Sequence, residues 1–226
     1  MGVLLLVRHG QASIDAADYD QLSAIGRRQA RAVGGRLAQA DLTVDRVVCG
    51  TSARQRDTAG ELVAALGFPE AQVRRDVRLD EFDHVSLLAA HPSEATVPVR
   101  PIETGPEVPS VLAEAIARWI AADHDVHSAD GVDYPESHAA FVARVGDVVR
   151  ELTDAPGTSL GVTSAGVIAA ASAAALGLPA ARWPALAGRM VNTCIARMAS
   201  GPAGGVLMTF NDHAHLEHDR TLITYR

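Results

Sequence analysis

The chain has 226 residues, of which 48% are hydrophobic and 4% aromatic, and its 27 acidic and 20 basic side chains give a formal net charge of -7. This composition is typical of a soluble globular protein with one core. All of the basic residues are arginine, which excludes a lysine Schiff base and a lysine-containing phosphate loop. The acidic balance also argues against a nucleic-acid surface.

The first part of the chain alternates apolar runs with helical patterns. Residues 2–7 form a continuous aliphatic run that predicts a buried strand, and Ser23 caps a helical pattern that ends near Ala40. Residues 45–49 predict a second strand, followed by a helix that Thr51 or Ser52 caps and that ends at Leu66-Gly67. This alternation predicts a layered α/β fold with largely parallel strands.

Residues 84–134 break the alternation, because they are rich in proline and show a helical pattern only at 110–122. We interpret them as an insertion over one face of the sheet, where loops determine specificity. After the insertion the sequence predicts helices at 137–152 and 166–176. It predicts strands at 159–163, 192–198 and 206–210, with an optional edge strand at 222–225. No repeat or linker is evident, so we predict a single domain over 1–226.

Cysteine usage and hydropathy bear on cellular location. Cys49 and Cys194 lie far apart in apolar runs, which favours neither a disulfide framework nor a thiolate metal site. The apolar N-terminal run lacks the basic residues of a signal peptide, and no apolar run reaches the ~20 residues that span a bilayer. We expect a cytoplasmic protein that does not bind membranes; its oligomeric state stays open, and a homodimer is one option.

Three segments in which a strand turns into a helix carry the candidate chemistry, because ligands of α/β sheets bind at such ends. Arg8, His9 and Gly10 follow the first strand, residues 50–54 follow the second, and residues 163–166 follow a later one. The N–H groups and hydroxyls of residues 50–53, together with Arg54, predict a phosphate cradle. Two guanidinium groups and an imidazole at one sheet edge suit a phosphate dianion.

The same residues suggest a reaction. A neutral imidazole such as that of His9 can attack phosphorus and form a phosphohistidine, which water then hydrolyses. The leaving alkoxide needs a proton, and the acidic run at residues 79–83 offers a carboxyl group whose pKa apolar neighbours would raise. The sequence therefore predicts a phosphomonoester hydrolase that uses neither a metal ion nor a cofactor.

The chain resembles the histidine phosphatase superfamily, also called phosphoglycerate mutase-like. The segments that carry the resemblance occur in family order: LLLVRHGQAS, QLSAIGRRQA, GTSARQRDTA, RLDEF, PESHAAFVARV, GVTSAGVI, VNTCIARM and FNDHAHL. The resemblance implies a three-layer α/β/α sandwich with a mostly parallel central sheet and an inserted cap region at 84–134. It also implies a phosphatase whose partner is a small phosphorylated substrate or phosphate.

Individual roles follow from the resemblance. It assigns the nucleophile to His9, phosphate binding to Arg8 and Arg54, and the proton donor to Glu81. Arg56 is a competing second arginine, but Arg54 has the family spacing to the following threonine. Cofactor-dependent phosphoglycerate mutases have a Trp-Asn pair after the RHG segment, and this chain has QASI there, so we do not expect the mutase reaction.

One motif departs from the family pattern. A His-Gly pair usually follows the later strand, and here Ser164 and Ala165 stand in its place. A serine can donate a hydrogen bond but carries no charge, so turnover is expected to be reduced. Ser164 is equally interpretable as a phosphate contact or as a small residue packing at a helix start, and Gln11 as a phosphate contact or a turn residue. The alternative function is a weakly active or inactive phosphate-binding protein of the same fold.

A further alternative makes Ser164 a nucleophile, with Asp212 and either His213 or His215 completing a hydrolase triad. It is disfavoured because the nucleophile elbow requires glycine two residues before the serine, and Val162 lies there.

Two groups of histidines are candidates for metal binding, and we favour a solvated surface for both and predict no metal site. They are His124 with His127, and His213, His215 and His218.

Overall fold

A six-stranded sheet, in the order β3-β2-β4-β1-β5-β6, forms the centre of the molecule. The computed structural model describes residues 2–13, 20–40, 42–90, 110–123, 133–201 and 204–225. The strands are β1 (Gly2–Arg8), β2 (Arg46–Cys49), β3 (Arg74–Arg75), β4 (Gly157–Thr163), β5 (Ile195–Gly201) and β6 (Gly204–Asp212). The helices are α1 (Ala24–Gln39), α2 (Ala53–Leu66), α3 (His84–Ala89), α4 (Ser110–Ala122), α5 (His138–Asp154), α6 (Ala165–Ala175) and α7 (Trp183–Ala187).

Strand direction brings the candidate segments to one edge of the sheet. β1, β2, β3 and β4 run parallel to one another, β5 runs antiparallel to β1, and β6 runs antiparallel to β5. Arg8 is in register with Thr163, and Cys49 with Val162. The residues that follow β1, β2 and β4 therefore emerge side by side, and the predicted mostly parallel sheet is confirmed.

Alternating side chains of the central strands fill two separate cores, one on each face of the sheet. Leu5 and Val7 pack with Val33 of α1 and Leu62 of α2. On the other face, Leu4 and Leu6 belong to a larger core with residues of the helices from α3 to α7. The result is the expected three-layer α/β/α arrangement.

Local signals account for the helix boundaries near the site. Ser23 accepts a hydrogen bond from the Gly26 N–H and begins α1. Ser52 and Gln55 form a capping box at the start of α2, and Gly67 ends that helix in the left-handed conformation, φ +80°. The predicted caps are confirmed, with Ser52 rather than Thr51 as the cap of α2.

Near the C-terminal end, one predicted strand begins later than expected and another is wrong. The run at 192–198 forms a strand only from Ile195, because Thr193 has φ +58° and turns the chain before it enters the sheet. Residues 222–225 add no strand; a short 3-10 helix, Arg220–Leu222, includes the first of them. The sequence also did not predict β3, α3 or α7, which are all short.

The predicted insertion is described in part. Its helical pattern at 110–122 coincides with α4, and α3 lies at its start. Both helices contribute to the larger core, through Leu87 and Trp119 among others. Residues 91–109 and 124–132, including His124 and His127, lie outside the described residues, so the insertion at 84–134 stays a prediction. Within the described part of the chain, no helix is both long and apolar enough to cross a membrane.

Candidate active site

His9 lies directly after β1, and backbone contacts fix it from three sides. Its N–H donates to the Thr163 carbonyl at 2.8 Å, and its own carbonyl accepts from Asn192 Nδ2 at 3.2 Å. The next N–H, that of Gly10, donates to Thr58 Oγ1 on α2 at 3.0 Å. The imidazole therefore projects from a backbone that β4, α2 and the turn before β5 hold together.

The His9 ring is held in one tautomer and in its neutral form. Its Nδ1 lies 2.8 Å from the Gly10 carbonyl oxygen, and because a carbonyl can only accept, Nδ1 carries the proton and Nε2 keeps its lone pair. Burial lowers the pKa of His9 well below its usual value, and the charges of Arg54 and Arg8 lower it further. The ring is therefore a neutral base with Nε2 available for attack.

Arg54 is the second residue of α2 and its side chain is only 14% exposed. Its Nε lies 3.7 Å from Asp20 Oδ1, and its carbonyl accepts from Thr58 Oγ1 at 2.6 Å. Its charge lowers the pKa of both His9 and Glu81. Arg56, the competing arginine, is exposed.

Arg8 approaches the site from β1 and is itself buried. Its guanidinium donates to the carbonyl of Met190 and, at 3.0 Å, to that of Tyr225. These carbonyls fix its position, and its charge acts on His9 and on Glu81. The structure thus brings Arg8, His9, Arg54 and Glu81 together.

Glu81 lies against the first turn of α6. Its Oε2 accepts from the Gly166 N–H at 2.9 Å. Burial raises the pKa of Glu81, although the hydrogen bond from Gly166 and the charge of Arg54 oppose the rise. A Cβ atom on residue 166 would lie 2.1 Å from Glu81 Oε1, so this close approach requires glycine.

The loop that carries Glu81 is anchored through its backbone. The Leu79 carbonyl accepts from Thr163 Oγ1 at 2.6 Å and from Gln55 Nε2 at 3.0 Å. Arg144 of α5 donates to the carbonyls of Arg78 and Asp80 at 2.9 and 2.8 Å. The carboxyl group therefore has little freedom to leave its position beside α6.

Ser164 and Gln11 both make contacts with the protein itself. Ser164 is fully buried, and its Oγ accepts from Gln55 Nε2 at 2.9 Å. Gln11 Oε1 accepts from Ser23 Oγ at 2.8 Å, which ties the loop after His9 to the start of α1. Both side chains therefore contact neighbouring segments of the fold, and phosphate binding by either stays a prediction.

The predicted cradle at residues 50–53 is wrong. The Thr51 N–H and hydroxyl both donate to the Asp80 carboxylate, each at 2.5 Å. The Ala53 N–H donates to Asp20 Oδ2 at 2.6 Å, and the Ser52 N–H to Gln55 Oε1 at 3.3 Å. Protein acceptors already satisfy the donors that a helix N-terminus would otherwise offer to an anion.

Comparison with known proteins identifies the family. The model of the histidine phosphatase superfamily, branch 1, matches residues 4–96 and 103–213. The chain belongs to the histidine phosphatase superfamily. The search of curated proteins finds no match.

Solved structures of other histidine phosphatase-like enzymes are similar over most of this chain. A mycobacterial glucosyl-3-phosphoglycerate phosphatase bound to inorganic phosphate is 26% identical, with a TM-score of 0.61, and the match covers 94% of this chain and 98% of that one. A phosphoserine phosphatase variant from Entamoeba histolytica, in complex with phosphoserine, is 17% identical with a TM-score of 0.64, covering 96% and 100%. The second similarity concerns the fold alone.

The hydrolase triad considered for Ser164 is not formed. His213 Nδ1 lies 2.7 Å from the Asn211 carbonyl, and His215 Nε2 lies 3.2 Å from Thr193 Oγ1. Among the described residues, neither imidazole is hydrogen-bonded to Ser164, and these residues contain no group of three or more potential metal-binding side chains.

Four residues that support the site were not singled out from the sequence: Gln55, Thr58, Arg144 and Asn192. Gln55 follows Ser52 by three residues, which is the spacing of a capping box and could have indicated it. Thr58 and Arg144 lie inside the segments that resemble the family, but nothing local indicates their partners. Asn192 begins the segment NTCIARM, which the sequence predicts as a strand, and nothing in this segment indicates its contact with His9.

Proposed function

We propose that this protein is a phosphomonoester hydrolase that acts through a phosphohistidine at His9. In this proposal Arg8 and Arg54 bind the phosphoryl group and Glu81 protonates the leaving oxygen. The chemistry requires neither a metal ion nor a cofactor, because guanidinium groups supply the positive charge and a carboxyl group supplies the proton.

In the first step the lone pair of His9 Nε2 attacks phosphorus, a P–N bond forms, and the P–O bond to the leaving group breaks. The leaving oxygen takes the proton of Glu81, so the product departs as an alcohol and Glu81 becomes a carboxylate. The two arginines balance the charge of the phosphoryl oxygens throughout.

In the second step water attacks phosphorus and the P–N bond breaks, which returns the electron pair to Nε2. The Glu81 carboxylate accepts a proton from that water, so the acid of the first step is the base of the second. Inorganic phosphate is released, and both residues return to their starting protonation states.

The observation that carries the proposal is that His9 and Glu81 are buried beside Arg8 and Arg54 and that burial shifts their pKa values in opposite directions. The Nδ1 contact with Gly10 and a lowered pKa favour the nucleophilic form of His9, and a raised pKa favours the acid form of Glu81. Opposite assignments, a protonated imidazole and an ionised carboxyl, would suit an ion pair and not this reaction.

We further propose a small phosphorylated metabolite as the substrate. The mycobacterial phosphatase bound to inorganic phosphate, at 26% identity over nearly the whole chain, supports this class. Phosphorylated sugar acids are therefore included among the first compounds to be tested.

A weakly active or inactive phosphate-binding protein is the second candidate. The buried Ser164, whose hydroxyl contacts Gln55, favours it, because this side chain adds no charge where the family pattern has an imidazole. Turnover alone separates the two candidates, since both bind phosphate.

A panel of phosphorylated metabolites and an aryl phosphate, assayed with the wild type and with His9→Ala, tests the proposal. We expect wild-type turnover, its loss in His9→Ala, and acid-labile, base-stable phosphate on the quenched wild type. His218→Ala, which removes an exposed imidazole, is the matched control and should retain activity. A His9→Ala variant as active as the wild type would end the proposal, and binding without turnover would favour the second candidate.

A further inference from the structure

His84 is an imidazole near the candidate site that no role above uses. It is the first residue of α3 and follows Glu81 by three positions. Its side chain is partly buried, and neither ring nitrogen forms a hydrogen bond with another described residue. A half-buried imidazole in this state has donor and acceptor groups that remain available to a ligand.

The residues around His84 leave its ring available. Asp83 caps α3 with its carboxylate, which accepts from the N–H groups of Val85 and Ser86 at 3.1 and 2.9 Å and from the Ser86 hydroxyl at 2.6 Å. The backbone N–H of His84 donates to the Phe82 carbonyl at 2.9 Å. The neighbouring carboxylate is therefore engaged along the helix, and the start of α3 is fixed relative to the loop that carries Glu81.

Phe82 anchors the same segment from the other side. Its ring packs against Trp119, Phe141 and Trp183, with centroid distances of 5.4, 5.8 and 5.6 Å. Because Phe82 is buried in this aromatic cluster, the backbone between Glu81 and His84 is held in place. Rigid placement is what a side chain needs in order to contact a bound group with useful strength.

His84 also lies within the electrostatic range of Arg54. Burial lowers the pKa of His84, and the charge of Arg54 lowers it further, whereas Asp83 opposes the change. The same guanidinium acts on His9 and Glu81. The charge of Arg54 therefore acts on all three titratable side chains, and an anion that neutralises this charge would act on them as well.

We propose that His84 donates a hydrogen bond from its imidazole to an oxygen of the phosphoryl group that Arg54 binds. This inference rests on the proposed function and extends it by a second imidazole at the phosphate. A phosphate dianion favours the donor form of the ring, because negative charge nearby stabilises the protonated imidazole. His84 thereby adds an imidazole donor to a site where Ser164, whose oxygen accepts from Gln55 Nε2, supplies only a hydroxyl.

Two substitutions at this position separate binding from packing. His84→Gln keeps a side-chain N–H donor, and His84→Phe keeps a planar ring without one. A hydrogen bond to a charged group is worth about 1.5–3 kcal/mol, so His84→Phe should weaken phosphate binding roughly ten- to a hundredfold. His84→Gln should retain most of the affinity. A role in packing predicts the reverse order, with Phe tolerated.

The measurement is calorimetric titration with inorganic phosphate, together with its inhibition constant in an aryl phosphate assay. Thermal unfolding of each variant checks the fold, and His218→Ala is the control. Equal phosphate affinity in the wild type, His84→Phe and His84→Gln would overturn the assignment while leaving the proposed function intact. A wild type that neither binds phosphate nor hydrolyses aryl phosphate would overturn both.

Discussion

Arg144 offers the sharpest test of how the fold positions the candidate acid. Its guanidinium donates to the carbonyls of Arg78 and Asp80 and forms a two-bond ion pair with Glu136, at 2.6 and 2.9 Å. Its Cζ atom also lies 4.9 Å from the centre of the Phe141 ring. The substitution Arg144→Ala therefore removes the contact between α5 and the backbone on both sides of Leu79.

The structure sets the expected size of the effect. The side chains of Arg144 and Glu136 are 20% and 25% exposed, so solvent weakens the ion pair and the two carbonyl bonds dominate. We expect a loss of about 2–3 kcal/mol in the free energy of unfolding. For a chain of this size that lowers the melting temperature by roughly 4–12 °C, which leaves a folded protein for kinetic assays.

Catalysis should respond according to the leaving group. A proton donor displaced by about 1 Å can cost on the order of a hundredfold in rate, but only where the leaving oxygen needs the proton. Alkyl phosphates need it, because an alkoxide is a poor leaving group, whereas p-nitrophenolate departs readily without it. For Arg144→Ala we therefore expect a large fall in kcat with glycerol phosphate and a small one with p-nitrophenyl phosphate.

The control is Arg150→Ala on the same helix, since Arg150 forms an i,i+3 pair with Asp147 and both side chains are more than half exposed. It should change neither stability nor kcat appreciably. Arg144→Lys, which keeps the charge but not the planar fork, should lie between Arg144→Ala and the wild type. If Arg144→Ala lowers kcat equally for both substrates, Arg144 supports the fold in general and the reasoning about the acid is refuted.

Three further predictions follow from the geometry and the pKa shifts. Gly166→Ala should displace Glu81, because its Cβ would meet Oε1 at 2.1 Å, and should lower kcat most for alkyl phosphates; Gly146→Ala, with no atom within 4 Å of its Cβ, is the neutral control. The pH profile of kcat/KM should fall on the acid side as His9 is protonated, at a pH below the usual histidine range because the pKa of His9 is lowered. It should fall on the alkaline side as Glu81 ionises, at a pH above the usual glutamate range because the pKa of Glu81 is raised. Glu81→Gln should remove the alkaline limb with p-nitrophenyl phosphate. Burial lowers the pKa of His215 to about 4, so as the pH falls the unfolded state binds a proton before the folded state does. The free energy of unfolding should therefore fall by about 3 kcal/mol as the pH drops from about 6.5 to 4. Denaturant titrations should show a smaller fall in His215→Asn.

The parts of the fold that the sequence predicted are those with strong local causes. The aliphatic run of β1 and the caps at Ser23 and Ser52 each determine an element from residues next to it. The failures depend on distant contacts. Thr193 has φ +58° and turns the chain where its N–H donates to the His9 carbonyl. Nothing in the sequence at 192–198 predicts this hydrogen bond.

The candidate site divides in the same way. Its charged members could be predicted from motif spacing and from the rule that ligands bind at the ends of parallel strands. The donors at residues 51–53 were assigned wrongly, because Asp80 and Asp20 reach them only in the folded chain. Likewise the contact between Ser164 and Gln55 joins residues 109 positions apart, which spacing within one motif cannot indicate.

Burial shifts the pKa of each candidate catalytic group in the direction that the proposed reaction needs. Removing a side chain from water disfavours its charged form, which lowers the pKa of His9 and raises the pKa of Glu81. The charges of Arg8 and Arg54 reinforce the first effect and oppose the second. A phosphate dianion bound between the two guanidinium groups would cancel their charge, which removes the opposition at Glu81 while burial still holds His9 neutral. Substrate binding would therefore raise the pKa of Glu81 further and keep its carboxyl group protonated until the leaving oxygen takes the proton.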